Sequence, residues 1–206
     1  MSDRTAVEFW FDPACPWAWM TSRWMGEVAR QRPEVEVTWK VMSLYLLNQG
    51  NHADPEYMAS HGAAHQASYA ACKVIAGASQ KLGNDVAKRL YDELGERIHH
   101  QGRTDAEAIL AEAAEAAGVP QELLDRAAAG EFDEALQASH DEGLGRVGQD
   151  VGTPIVAVNG TAFFGPVISP APKGEEALRL FDGVVMAAEY EGFFELKRSR
   201  TRGPQF

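Results

Sequence analysis

The chain has 206 residues, a formal net charge of -11 at pH 7, and 45% hydrophobic residues. Its length suffices for one domain with a sizeable core, or for a compact domain carrying a large insertion. The acidic excess argues against a general phosphate-binding surface, and so against nucleic acid as a partner.

The start, Met1-Ser2-Asp3-Arg4-Thr5, is polar and leads straight into a short apolar run, with no stretch long enough for a signal sequence or membrane span. Two cysteines, Cys15 and Cys72, make no disulfide framework. A cytoplasmic protein without a membrane partner is the expectation.

Ala6-Val7-Glu8-Phe9-Trp10-Phe11 reads as a strand, followed by Asp12-Pro13-Ala14 as a loop and a helix opening Pro16-Trp17-Ala18-Trp19. Proline suits the first helical position, which puts Cys15 at the cap. Free amide groups and the positive end of the helix dipole favour a thiolate there, and such cysteines have pKa values of about 3.5–7.5 against about 8.5 unperturbed. The expected alkylation midpoint is therefore well under pH 8. In dithiol redox proteins a second cysteine lies three residues on and attacks the mixed disulfide from within. Here that position is Ala18, so a redox cycle at Cys15 calls for an outside thiol, a small-molecule cofactor, to release the captured substrate.

Trp17, Met20, Trp24 and Val28 recur at helical spacing up to Gln31-Arg32-Pro33, and Val35 to Val41 alternates as a strand, giving a βαβ unit. From about Asp54 to Asp141 the composition turns to Ala, Glu, Gln and Leu with helical periodicity. Breaks fall at Gly83-Asn84, Gln101-Gly102 and Gly118-Val119-Pro120, and Thr104-Asp105-Ala106-Glu107 reads as a capping box. Pro154 to Val158 and Thr161 to Phe164 form a hairpin across Asn159-Gly160, and a last helix runs from about Gly174 to Tyr190. The resulting fold class is α/β: a thioredoxin-like fold (1–53 and 142–206) with a large all-helical insertion (54–141) between its βαβ and ββα halves.

Val151-Gly152-Thr153-Pro154 precedes the third strand, where a proline removes a ladder hydrogen bond. A cis Thr153-Pro154 bond on this plan faces the cysteine loop and leaves the Thr153 backbone free for a substrate.

At this point the chain resembles the DsbA-like thioredoxin-fold proteins, and more closely their cytoplasmic subgroup of mycothiol-dependent reductases, some of which reduce nitro compounds. The matching residues are Phe9-Trp10-Phe11-Asp12-Pro13, Cys15-Pro16-Trp17, Trp19, Thr21-Ser22-Arg23-Trp24, Val41-Met42-Ser43-Leu44, Arg97-Ile98-His99, Val151-Gly152-Thr153-Pro154, Phe163 to Val167 and Phe193 to Arg198. The resemblance implies Cys15 as nucleophile, Pro154 as the cis-proline, and a cleft between the thioredoxin core and the insert. The catalytic set is then Cys15, Pro16, Trp17, Ala18, Thr153 and Pro154. The set facing the thiol co-substrate, mycothiol or another small thiol, is Trp17, Trp19, Asn48, Tyr57, His99 and Thr153. A homodimer is implied too. Ala18 departs from the better-known members and favours a monothiol cycle, in which Cys15 attacks, a mixed disulfide forms and a second thiol resolves it.

Several other features admit two readings. Cys72, in an Ala-rich helical run, is a buried cysteine or an internal resolving thiol. His61 and His65 share a helical face, but no glutamate follows His61 as a zinc-protease motif requires, so no metal is expected. His99-His100 caps a helix end or faces the cleft. Gly143-Leu144-Gly145-Arg146-Val147-Gly148 has the letters of a dinucleotide fingerprint after a helix instead of a strand, and reads as a flexible return to the core. Asn159-Gly160-Thr161 reads as a turn. Trp17 is a core residue or a stacking wall for a planar substrate. Lys197, Arg198, Arg200 and Arg202 read as a solvated tail or a docking patch.

The leading expectation is a thiol-dependent oxidoreductase that reduces disulfides or small electrophilic or nitro compounds. The alternatives are a kappa-type thiol transferase or isomerase, against which Cys15 counts because those place serine there, and a redox-inactive binding protein.

Overall fold

The computed structural model describes residues 4–49, 55–148 and 150–206, with Tyr57 described by its backbone alone. Strand β1 (Thr5–Phe11) leads through the cysteine loop into helix α1 (Pro16–Gln31), and β2 (Val35–Val41) pairs parallel to β1. A short α2 (Leu44–Leu47) follows, then a helical block of α3 (Pro55–Leu82), α4 (Asn84–Gly95), α5 (Ala106–Ala117), α6 (Gln121–Ala128) and α7 (Asp133–Val147). The chain then returns as β3 (Ile155–Val158), β4 (Thr161–Phe164) and α8 (Gly174–Glu189). The sheet order is β2-β1-β3-β4, with β3 antiparallel to both β1 and β4.

Alternation along β1 sorts the two faces of the sheet. Val7, Phe9 and Phe11 join the main core with α1 and α8, while Trp10 packs with Met42, Leu144, Ile155 and Ala157 beneath α7. On that second face Glu8 is gripped by Lys40 at 2.7 Å and Arg146 at 2.6 Å. Across the first face, Trp24 Nε1 donates to the Ala177 carbonyl at 2.9 Å and Arg32 pairs with Asp182, which fixes α8 on α1. The turn Asn159-Gly160 has positive φ at both residues, 49° and 93°, as a two-residue hairpin of the I′ kind requires. Asn159 Oδ1 also accepts from the Ala6 amide at 3.0 Å, tying the hairpin to β1.

Two expectations on the helical block need correction. The glycine-rich segment from 143 to 148 is not a flexible return: α7 continues through residue 142 to Val147, and Gly143 is where the helix lies against Trp10. A Cβ at Gly143 would stand 3.0 Å from the indole, so glycine permits the contact. Thr104 to Glu107 does not form a capping box, because Arg103 takes the Asp105 carboxylate at 2.6 Å and leaves α5 without a side-chain cap. The expected start of the insertion at 54 lies outside the described residues. Buried residues of the helical block, including Ala71, Cys72, Val74 and Leu90, belong to the same contiguous core as the sheet.

Candidate active site

The site is built where β1 ends. Asp12 follows the strand with its carboxyl fully buried, and both oxygens are used. Oδ1 accepts from the Ala14 amide at 2.8 Å and from Ser68 Oγ at 2.5 Å, and Oδ2 accepts from the Leu44 amide at 2.7 Å. Cys72 Sγ lies 3.8 Å from Oδ2. One side chain thus joins the cysteine loop, the start of α2 and the middle of α3. Burial raises its pKa above the ordinary carboxyl value, although hydrogen bonds from Ser68, Leu44 and Ala14 oppose this.

Cys15 caps α1, with Pro16 at the first helical position. The Ala18 amide donates to Sγ at 3.4 Å, and the thiol donates to the Thr153 carbonyl, also at 3.4 Å. The Thr153-Pro154 peptide is cis. Thr153 is itself buried, and its Oγ1 has no hydrogen-bond partner among the described residues. Ala18 is fully buried, so its methyl group is part of the core and its useful atom is the amide.

The expected low pKa of Cys15 is overturned. The residue is only 6% exposed, and that burial pushes the thiol above its ordinary value, with the nearby Asp12 charge acting in the same direction. Hydrogen bonds from the Ala18 and Trp17 amides favour the thiolate but do not prevail, and the Thr153 carbonyl, as an acceptor, favours the thiol. Desolvation wins over the helix end, so the sulfur rests as a thiol.

The residues expected around it sort into three groups. Trp17 is half-buried beside the cysteine, with the Arg200 guanidinium 4.7 Å above its ring. Trp19 is not a cleft residue: at 2% exposure it is wedged between Tyr91, His99, His100 and Arg23, because α1 turns it inward. His99 lies on a π-helical turn (Glu96–His100), and its Nε2 meets the Pro13 carbonyl at 2.9 Å, so it backs the cysteine loop instead of facing the cleft. Burial lowers its pKa to about 4, which leaves it neutral near pH 7 and its Nε2–H as the donor. Asn48 caps α2, and its Nδ2 donates to Leu44 O at 2.7 Å. The side chain of Tyr57 lies outside the described residues.

Cys72 is fully buried, 3.7 Å from the Met42 carbonyl, and burial holds its pKa well above the ordinary thiol value. That places it as a buried cysteine bonded to its surroundings. Among the described residues no group of three or more His, Cys, Asp and Glu could hold a metal ion, and no helix is long and apolar enough to cross a membrane.

Sequence reasoning passed over Asp12, Ser68 and the placement of Arg200. Asp12 had a signal: an acid directly after an apolar strand and directly before the cysteine loop. Ser68 and Arg200 had none, since both meet the site only through the fold.

A capped, cis-proline-facing cysteine on this sheet defines a thiol oxidoreductase of the thioredoxin fold, and solved structures share that fold. The cytosolic disulfide reductase DsbM of Pseudomonas aeruginosa, solved with GSH, superposes with a TM-score of 0.59 at 13% identity, covering 88% of this chain and 99% of that one. The oxidoreductase DsbA of Xylella fastidiosa gives a TM-score of 0.54 at 24% identity, covering 91% and 88%. Rv2286c, an uncharacterised protein of Mycobacterium tuberculosis, is 28% identical in an alignment of 204 residues that covers 96% of this chain and 83% of that protein. Residues 14–198 match the Rv2466c-like family, described as mycothiol-dependent nitroreductase Rv2466c. The chain belongs to this family.

Proposed function

We propose that this protein is a cytoplasmic monothiol reductase in which Cys15 alone carries the exchange, with mycothiol as the reducing co-substrate and disulfides or small electrophilic or nitro compounds as acceptors. The observation carrying the reading is the single sulfur at the cap of α1, 3.4 Å from the Thr153 carbonyl beside the cis-proline, with Ala18 where a second thiol would stand. Thr153 suits a thiol that bears an amide, since its buried Oγ1 is unpartnered among the described residues and its carbonyl already accepts from a thiol.

Cys15 first gives its proton to solvent base. Its thiolate then attacks one sulfur of a disulfide, the S–S bond breaks, and the departing thiolate takes up a proton. A first small thiol attacks Cys15 Sγ in the mixed disulfide and expels the remaining substrate thiol, leaving Cys15 linked to the small thiol. A second small thiol attacks that outer sulfur and expels Cys15, whose sulfur leaves towards the Ala18 amide. Two thiols supply the two electrons and end as their disulfide. Trp17 walls the acceptor side, while Pro16, Asn48 and His99 hold the surrounding backbone. The proposed assembly is a homodimer.

Intact-mass measurement after incubation with oxidised mycothiol or with oxidised glutathione tests this. One adduct on Cys15, formed with mycothiol and absent from Cys15→Ser, is expected. Burial of Cys15 favours the rival reading of a protein that binds without redox turnover, and adduct-free protein with both reagents would decide for that rival.

A further inference from the structure

Beyond Tyr190 the chain has no helix or strand, and Phe194 and Leu196 are 85% and 88% exposed. Yet its last eight residues come back to the cysteine loop. Arg200 places its guanidinium 4.7 Å from the Trp17 ring centre. Phe206 stacks on His99 at 5.4 Å and 25°, and stands 5.7 Å from His100. Ser169 anchors the segment between these points, donating from Oγ to Gly203 O at 3.1 Å and accepting from the Gln205 amide at 2.8 Å.

The two landing points bracket Cys15. Trp17 lies two residues after it, and His99 bonds the carbonyl of Pro13, two residues before it. Among the described residues Arg200 has the indole as partner and no carboxylate, although the chain is strongly acidic, so its position is set by the aromatic face. On the proposed function, the face it covers is the one that walls the acceptor.

We propose that residues 199–206 form a strap that decides which reagents reach Cys15, excluding bulky planar ones while seated and admitting them when it lifts. The proposal rests on Cys15 as the attacking group, but its test needs only the thiol. A few aromatic and cation–π contacts and the two Ser169 hydrogen bonds, with no regular secondary structure, make an element that opens without unfolding the core. The strap therefore adds a size and shape filter to the site.

The full chain is treated with iodoacetamide, a small reagent, and with fluorescein maleimide, a bulky planar one, and modification at Cys15 is followed by peptide mass. In the double variant Arg200→Ala with Phe206→Ala, the bulky reagent should gain about fivefold or more over the small one, since two contacts of this kind shift an opening equilibrium by that order. Arg200→Lys, which keeps a cation over the indole, should restore most of the discrimination. An unchanged ratio of the two rates would overturn the proposal, whether both rates stay constant or both rise together. Adduct formation with mycothiol is read separately, so a failure of the redox reading leaves this ratio interpretable.

Discussion

Cys15 is pulled two ways, and the balance between them is the central property of the site. The cap of α1 offers the Ala18 and Trp17 amides to a thiolate, while burial and the Asp12 charge favour the thiol. The alkylation midpoint of Cys15 should therefore lie above that of an ordinary thiol, and iodoacetamide rates measured across pH will show it. Asp12→Asn removes the charge that raises the thiol pKa, so the midpoint should move down. An unmoved midpoint in that variant would mean that the carboxyl only braces the loop. The sequence announced where the cysteine stands, because proline placement and strand-to-helix order are local. It could not announce burial, which depends on distant elements closing over the loop.

At the scale of elements, glycines report where helices touch the aromatic core. Gly95, at the end of α4, lies so close to Trp19 that a Cβ would come within 2.1 Å of the indole. Gly145, on α7, has nothing within 4 Å. Gly95→Ala should thus destabilise by about 1–3 kcal/mol through overpacking. Gly145→Ala should stabilise by about 0.5–1 kcal/mol because alanine loses less entropy in a helix. Thermal melts compare the two, and equal effects would contradict the packing described. Strands, hairpin and helix order were legible from periodicity and turn residues. The end of α7 was not, since its glycines look like a loop until Trp10 is placed beneath Gly143. Trp19 misled for a different reason: the family resemblance set it facing the thiol co-substrate, whereas helical rotation carries it into the core.

Across the whole molecule, the sheet and the helical block share one core, and three histidines are enclosed by it or pressed against it. Burial lowers the pKa of His65, His99 and His140, that of His99 to about 4. The unfolded chain binds protons at these sites below about 6.5 more readily than the folded chain does, so their contribution is full above that value and declines as pH falls, for His99 until about pH 4. Denaturant melts from pH 7 to 4 should show this decline, and His99→Gln, which can still donate to Pro13 O, should flatten it. A slope identical to that of the unaltered protein would show that His99 takes no part. Asp12, with its raised pKa, acts in the opposite sense and is the same in both proteins, so it drops out of the comparison.

The methyl group of Ala18 has a kinetic corollary. On the proposed monothiol cycle, the dwell time of a partner linked to Cys15 depends on how often a free molecule arrives from outside. Turnover would then rise and fall with the abundance of the reducing pool, and under scarcity the protein would accumulate in its blocked form, a chemical gauge of the supply around it.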